Sequence, residues 1–235
     1  AEKTIVEFFP NHADFSVRIT GRGWIGTVGA STGRVIALVA PNNERSPFGT
    51  HNWAVVLRHE YTHTVTLSAT DNRIPHWFTE ACAVFQQPDK RNYAFVQMLV
   101  QATRTGKLFP MKELDWGFIR PKQAGDRTLA YAQSEWVMEY IIETKGYEKV
   151  IDMLKAFRDG LSQAEVFERI VGVPEKDFDQ AFDKWAHETL KKWGFNPEPP
   201  PDFAKASKAA QEKPRDPAAQ ATLALAQYYR GDRSR

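Results

Sequence analysis

His59-Glu60-Tyr61-Thr62-His63, followed seventeen residues after His63 by the glutamate of His76-Trp77-Phe78-Thr79-Glu80-Ala81, is the stretch on which the reading of this chain turns. The pattern from 53 to 69 has helical period, which places the first segment in a helix. Residues four apart in a helix lie one turn apart on the same face. Two imidazoles so placed can grip one zinc ion. Glu60, beside His59, can reach a water activated by that ion without being a ligand, which is where a general base belongs. The pattern breaks at 71–75, so a second helix over about 76–87 can fold back on the first. Glu80, one or two turns into it, then becomes the third ligand and leaves one position open, as a catalytic zinc site requires. Its neighbours Trp77, Phe78, Ala81, Ala83 and Val84 make this a mostly buried helix, where an unpaired carboxylate would be costly and zinc would satisfy it. The plainer readings are two satisfied core histidines and a carboxylate favoured by a helix dipole. They lose weight once the three residues are taken together.

Outward from this stretch, the first forty residues read as β-rich. Short runs at 4–9, 15–19 and 34–40 are expected as strands, and 21–33, with five glycines, as a tight loop or hairpin. Residues 41–49 read as a polar loop. On the C-terminal side a helix is expected at 92–103. The segment 107–125, carrying Pro110, Gly117, Pro121 and Gly125, reads as a loop. Helices follow at 128–145, 147–158, 162–171 and 174–193. The third of these opens with Ser162 and Glu165 in a capping-box pattern. The fold class is α+β: a small N-terminal β-sheet packed on the metal helix, then a mostly helical subdomain. Residues 1–195 form the metal-binding domain, 196–201 a stiff Pro-rich linker, and 202–235 a tail of two short helices divided at 214–217.

The chain has 31 basic and 29 acidic residues with signs mixed throughout, and no basic stripe of the kind nucleic acid requires. No apolar run approaches the length of a membrane span. The hydrophobic fraction of 42% allows a sizeable core. Cys82, the one cysteine, cannot form an internal disulfide. Two residues past Glu80, it points away from the ligand face and reads as a small buried residue. No serine- or cysteine-protease signature is present.

His59-Glu60-Tyr61-Thr62-His63 with Trp77-Phe78-Thr79-Glu80 resembles the gluzincin metallopeptidases, and within them the bacterial M-A-like group of zinc peptidases. Tyr131-Ala132-Gln133-Ser134, the helix end Tyr140-Ile141-Ile142-Glu143, and Phe178, Phe182 and Trp185 on a later helix agree with it; the resemblance covers about 35–193. It implies a zincin-like fold, Zn2+ held by His59, His63 and Glu80, and Glu60 as base and proton shuttle. Tyr131 would stabilise the oxyanion, with a core tyrosine as the plain alternative. It also implies a peptide or protein substrate, a secreted or cell-envelope location, and an edge strand, here 34–40, that pairs with extended substrate. Two positions depart from the pattern. Ala81 stands where many relatives have Gly. Val84 stands where thermolysin-like enzymes carry an Asp that orients a ligand histidine, so support for the histidines must come from elsewhere. His76, one turn before Glu80, reads first as a helix-start histidine with no task, and second as a residue facing the cleft. His12, His51 and His187 are not expected as ligands.

The tail, with Asp216-Pro217, Leu223-Ala224, Tyr228-Tyr229 and Gly231-Asp232, resembles the start of a tetratricopeptide array. Such repeats would bind a protein partner. The rival reading is therefore a zinc-containing, non-catalytic binding module that recruits a partner through its C-terminal repeats. Glu60 favours the enzyme, because a structural zinc site has no use for a base. Hydrolysis of a non-peptide amide or ester would use the same residues.

Overall fold

Residues 3–41, 50–88 and 91–230 are described by a computed structural model. The expected polar loop, apart from Pro41, and Gly231-Asp232 of the repeat-like pattern lie outside them. The apolar runs near both ends of the first forty residues pair in parallel as β1 (Ile5–Phe9) and β3 (Val35–Val39), with Ile5 opposite Val35 and Phe9 opposite Val39. A parallel pair needs a crossover. Here it includes α1 (His12–Thr20), so the strand expected at 15–19 is a helix instead. The Asn11 side chain accepts from the Asp14 N–H at its start, and Gly21 at φ 70° closes it in the left-handed conformation. Phe15 and Ile19 fit helical spacing as well as an alternating strand, and a five-residue window cannot separate the two periods.

β2 (Gly29–Ser31) runs antiparallel to β3 on its other side, giving the order β1-β3-β2. This corrects the expectation for 34–40. That run is the central strand and has no free edge; the edge towards the cleft is β2, from the glycine-rich stretch.

α2 (Trp53–Ala69) begins at Asn52, whose side chain accepts from the N–H groups of Ala54 and Val55. The chain reverses at Asp71 and Asn72, both at positive φ, which these two residues tolerate better than most. α3 (His76–Phe85) then returns antiparallel to α2, with Trp77, Phe78, Ala81 and Ala83 fully buried. α4 (Tyr93–Arg104) follows. The segment expected as a loop contains α5 (Met111–Ile119), whose Met111, Leu114 and Phe118 are buried at helical spacing. Gly117 was the misleading signal. A Cβ there would lie 2.8 Å from the Ala130 Cβ and 3.2 Å from the Phe109 ring, so this glycine permits close packing on α6 (Asp126–Lys145) and does not break the helix. α7 (Tyr147–Arg158) leads to α8 (Gln163–Val166), which opens with the Ser162–Glu165 capping box and continues as a π-helical turn, Phe167–Val171. α9 (Glu175–Lys192), α10 (Phe203–Glu212) and α11 (Pro217–Arg230) complete the chain as described. No helix among the described residues is long and apolar enough to cross a membrane.

The chain divides into two compact units: Ala1–Leu99 with Leu108–Trp185, and Val100–Lys107 with Ala186–Arg235. The first holds an aromatic core in which Phe78 packs on Phe157, Phe167 on Phe178, and Trp136 on Phe182, with ring centroids 4.8–5.8 Å apart. In the second, α10 and α11 form a hairpin that buries Ala206, Ala210 and Ala226, and Arg104 donates to the Asn196 carbonyl.

α3 and α5 each begin after a proline and lack a local side-chain cap. Each takes a carboxylate from another helix. Asp115 accepts from the Trp77 N–H at 2.7 Å, and Asp179 accepts from the Met111 N–H at 3.0 Å. Replacing Asp115 with Ala should therefore cost about 1 kcal/mol, the usual worth of a helix cap, in urea unfolding. An unchanged midpoint would show that α3 does not depend on the borrowed cap.

Candidate metal centre

The i, i+4 spacing on α2 brings the rings of His59 and His63 together with centroids 4.8 Å apart and their Nε2 atoms 3.1 Å apart. α3 delivers Glu80 Oε2 to 3.4 Å from the first of these nitrogens and 3.5 Å from the second. The three side chains lie close enough to hold a metal ion. Glu80 is only 5% exposed, and its Oε2 is a buried oxygen with no hydrogen-bond partner. At these distances the imidazoles attract the carboxylate without a well-aligned bond to that oxygen. An orphaned carboxylate oxygen aimed between two ring nitrogens is what a cation would satisfy. Burial by itself raises Glu80, but the close approach of the two imidazoles and their charge outweigh it and hold the group down at about 2. Burial alone would lower His63; its interaction with Glu80, then the charge of Glu60, lifts it above the ordinary value instead.

The outward ring nitrogens are also held. His63 Nδ1 lies 2.8 Å from Thr79 Oγ1, which lies 2.8 Å from Thr66 Oγ1, and Thr66 donates to the Thr62 carbonyl. A carbonyl can only accept. When Thr66 donates there, Thr79 donates to Thr66 and accepts from Nδ1–H of His63, which leaves the His63 Nε2 lone pair available to a cation in the cleft. His59 Nδ1 lies 2.7 Å from the side-chain amide of Gln87. An amide offers an NH2 on one side and an oxygen on the other, so Gln87 can match either tautomer of His59. These two residues supply the support that Val84 does not. Thr79 adjoins Glu80 in sequence, and Gln87 lies two residues past the end of α3.

Glu60 is 6% exposed, and its carboxylate accepts no hydrogen bond from the described residues. Burial pushes it above the usual carboxylate range; the charges of His59 and His63 oppose the rise, and that of Glu80 adds to it. β2 packs directly on it. A Cβ on Gly29 would lie 2.5 Å from Val56 Cγ1 and 2.9 Å from Glu60 Oε1, so only glycine allows this approach. Tyr131 on α6 directs its hydroxyl at Glu80 Oε1 from 3.4 Å, and His76 Nε2 is also 3.4 Å from that oxygen. Burial, then the charge of Glu80, raises the Tyr131 phenol, so it stays protonated at neutral pH. All these groups line one open cleft of about 890 Å³ with α2 as its floor, β2 on one side, and α3 and α6 on the other. His12 and His51 lie outside its lining, with Nε2 atoms against the carbonyls of Thr27 and Val39. Cys82 is buried, which pushes its thiol up to about 12 and leaves it inert.

A family model described as Peptidase MA superfamily matches residues 17–188. No curated protein and no solved structure matches the chain.

Two outcomes follow from this geometry. Thr79→Val and Gln87→Leu should each weaken metal binding about tenfold or more in competition with a chelator, as loss of a group that orients a ligand histidine does. Unchanged affinity would mean that the histidines need no such support. The second concerns the metal-free chain. His63 and Glu60 bind protons more tightly folded than unfolded, so their stabilisation is full below 6.5 and 4.5 respectively and is lost as pH rises through the folded values. Glu80 works oppositely: its stabilisation is present above 4.5 and is lost only as pH falls towards about 2. Metal-free protein should thus melt at a lower temperature at pH 8 than at pH 6, and Glu80→Gln should remove most of that difference. A variant that keeps the full difference would disprove the coupling.

Proposed function

The chain belongs to the Peptidase MA superfamily, and on that premise we propose that it is a zinc-dependent peptidase of the gluzincin type. His59, His63 and Glu80 are the ligands and Glu60 the general base. One observation carries this reading: the orphaned Glu80 Oε2 and the two Nε2 atoms stand 3.1, 3.4 and 3.5 Å apart. A tetrahedral ion with bonds of about 2.0–2.1 Å, the usual zinc lengths to nitrogen and oxygen, separates its ligands by roughly 3.3 Å. The donor set of two imidazoles and one carboxylate also suits zinc better than calcium or magnesium, which prefer oxygen alone.

Bound zinc supplies Lewis acidity, lowering the pKa of a water and polarising a carbonyl. The protein's own groups do the rest. Glu60, desolvated and without an internal hydrogen bond, takes the proton of the attacking water. It then passes that proton to the departing amine nitrogen, which must leave protonated. Its raised pKa suits both halves of the transfer. Tyr131, kept protonated by its surroundings, donates to the negative charge that develops on the substrate carbonyl oxygen. His76 stands on the same side of Glu80 and can add a second donor. The free edge of β2 lies along the cleft and offers backbone groups to an extended peptide. A merely structural metal site would gain nothing from a buried, unpartnered carboxylate at the position of Glu60.

The test is turnover of a peptide library by zinc-loaded protein, set against Glu60→Gln. The parent should cleave, and the variant should keep its zinc but lose at least about a hundredfold in rate, the minimum usual for a general base. Equal turnover by the variant would refute the assignment of Glu60.

A further inference from the structure

The cleft has two chemically different ends. α2 and α3 run antiparallel along it, so the start of α2 meets the end of α3. There the half-buried Val55, Val84 and Phe95 make an apolar wall. At the other end, the start of α3 and the first turns of α6 contribute His76, Arg127 and Tyr131. Arg127 is the only Lys or Arg among the described residues that line the cleft.

Arg127 is exposed and held at one nitrogen, and its charge is paired with no carboxylate among the described residues. One of its Nη atoms donates to the Phe118 carbonyl at 2.9 Å, at the end of α5 where helix carbonyls lack internal partners. The Phe118 ring in turn packs edge-on against His76 and Tyr131, with centroids 4.7 and 4.9 Å away. This ties the guanidinium, the imidazole and the phenol to one cluster beside Glu80. The carbonyl bond occupies one of five N–H donors, and Arg127 forms no ion pair among the described residues. By contrast, Arg91 pairs with Glu135 and Glu139. A fixed guanidinium with a free fork suits a carboxylate better than any other group in a peptide.

We infer that Arg127 anchors a carboxylate of the substrate, so that the cleft selects peptides with a carboxylate at this end and an apolar residue at the Val55–Val84–Phe95 end. The inference rests on the cleft being a peptide site. A free C-terminus and an acidic side chain both supply that carboxylate; the chemistry at Arg127 is the same.

Binding measured without turnover tests this. Zinc-loaded Glu60→Gln protein is titrated with three fluorescent, N-acylated pentapeptides of Leu and Ala: one with a free C-terminus, one amidated, and one amidated with an internal Glu. At least one carboxylate-bearing peptide should bind about tenfold more tightly than the neutral amide, as a charge-assisted bond predicts. Which one does so identifies the source. The preference should vanish when Arg127→Gln is added and survive in part with Arg127→Lys, which keeps the charge and loses the fork. Three peptides that bind alike, or a preference that survives Arg127→Gln in a folded protein, would overturn the inference. Failure of the peptidase reading would show separately, as no cleavage by the Glu60 protein although the binding preference holds.

Discussion

A carboxylate oxygen buried between two imidazole nitrogens, without a hydrogen bond of its own, is the constraint on which the rest of this structure depends. Glu80 would not hold its charge at that depth in apolar surroundings; in the metal-free chain, protonated imidazoles keep it ionised. To face a metal, each ring gives up the proton on that side and presents a lone pair, keeping its other proton on the far side. The threonine relay behind His63 and the adaptable amide behind His59 answer that demand. Charge, proton position and ligand geometry are thus one requirement met by six side chains, five on α2 and α3 and Gln87 just past the end of α3.

The surrounding fold supplies rigidity to those helices. α3 is buried on most of its surface. Its position is set by aromatic packing of Trp77 and Phe78 and by the carboxylate that Asp115 lends to its first turn. α5, which makes that loan, can approach α6 because position 117 has no side chain. On the opposite side of the cleft, Gly29 lets the sheet edge come within contact distance of Glu60. Two glycines that look like breakers in the sequence are close-packing positions in the fold.

That His59, Glu60, His63 and Glu80 come together could be read from the sequence because their relation is local: a helical repeat of four, then a short reversal and a second helix. The same holds for most helices, whose caps and apolar periods lie within a few residues. The strand expected at 15–19 became α1 because five residues cannot distinguish two periods. α5 was hidden by Gly117 and two prolines, whose meaning depends on a partner helix distant in sequence. Strand order was equally inaccessible, so the run at 34–40 was placed at the cleft when it lies at the centre of the sheet. Thr79 and Gln87 were missed for a different reason. Thr and Gln carry no metal signature, and only the direction of a ring nitrogen shows what they hold.

The central claim is that one zinc ion sits between α2 and α3, and elemental analysis of zinc per chain tests it most directly. Protein supplied with zinc and dialysed free of excess should retain about one ion per chain. Glu80→Ala should lose most of it while remaining folded. No retained zinc in the parent, or full retention in the variant, would contradict the account, since Glu80 Oε2 would then have no cation to explain its burial.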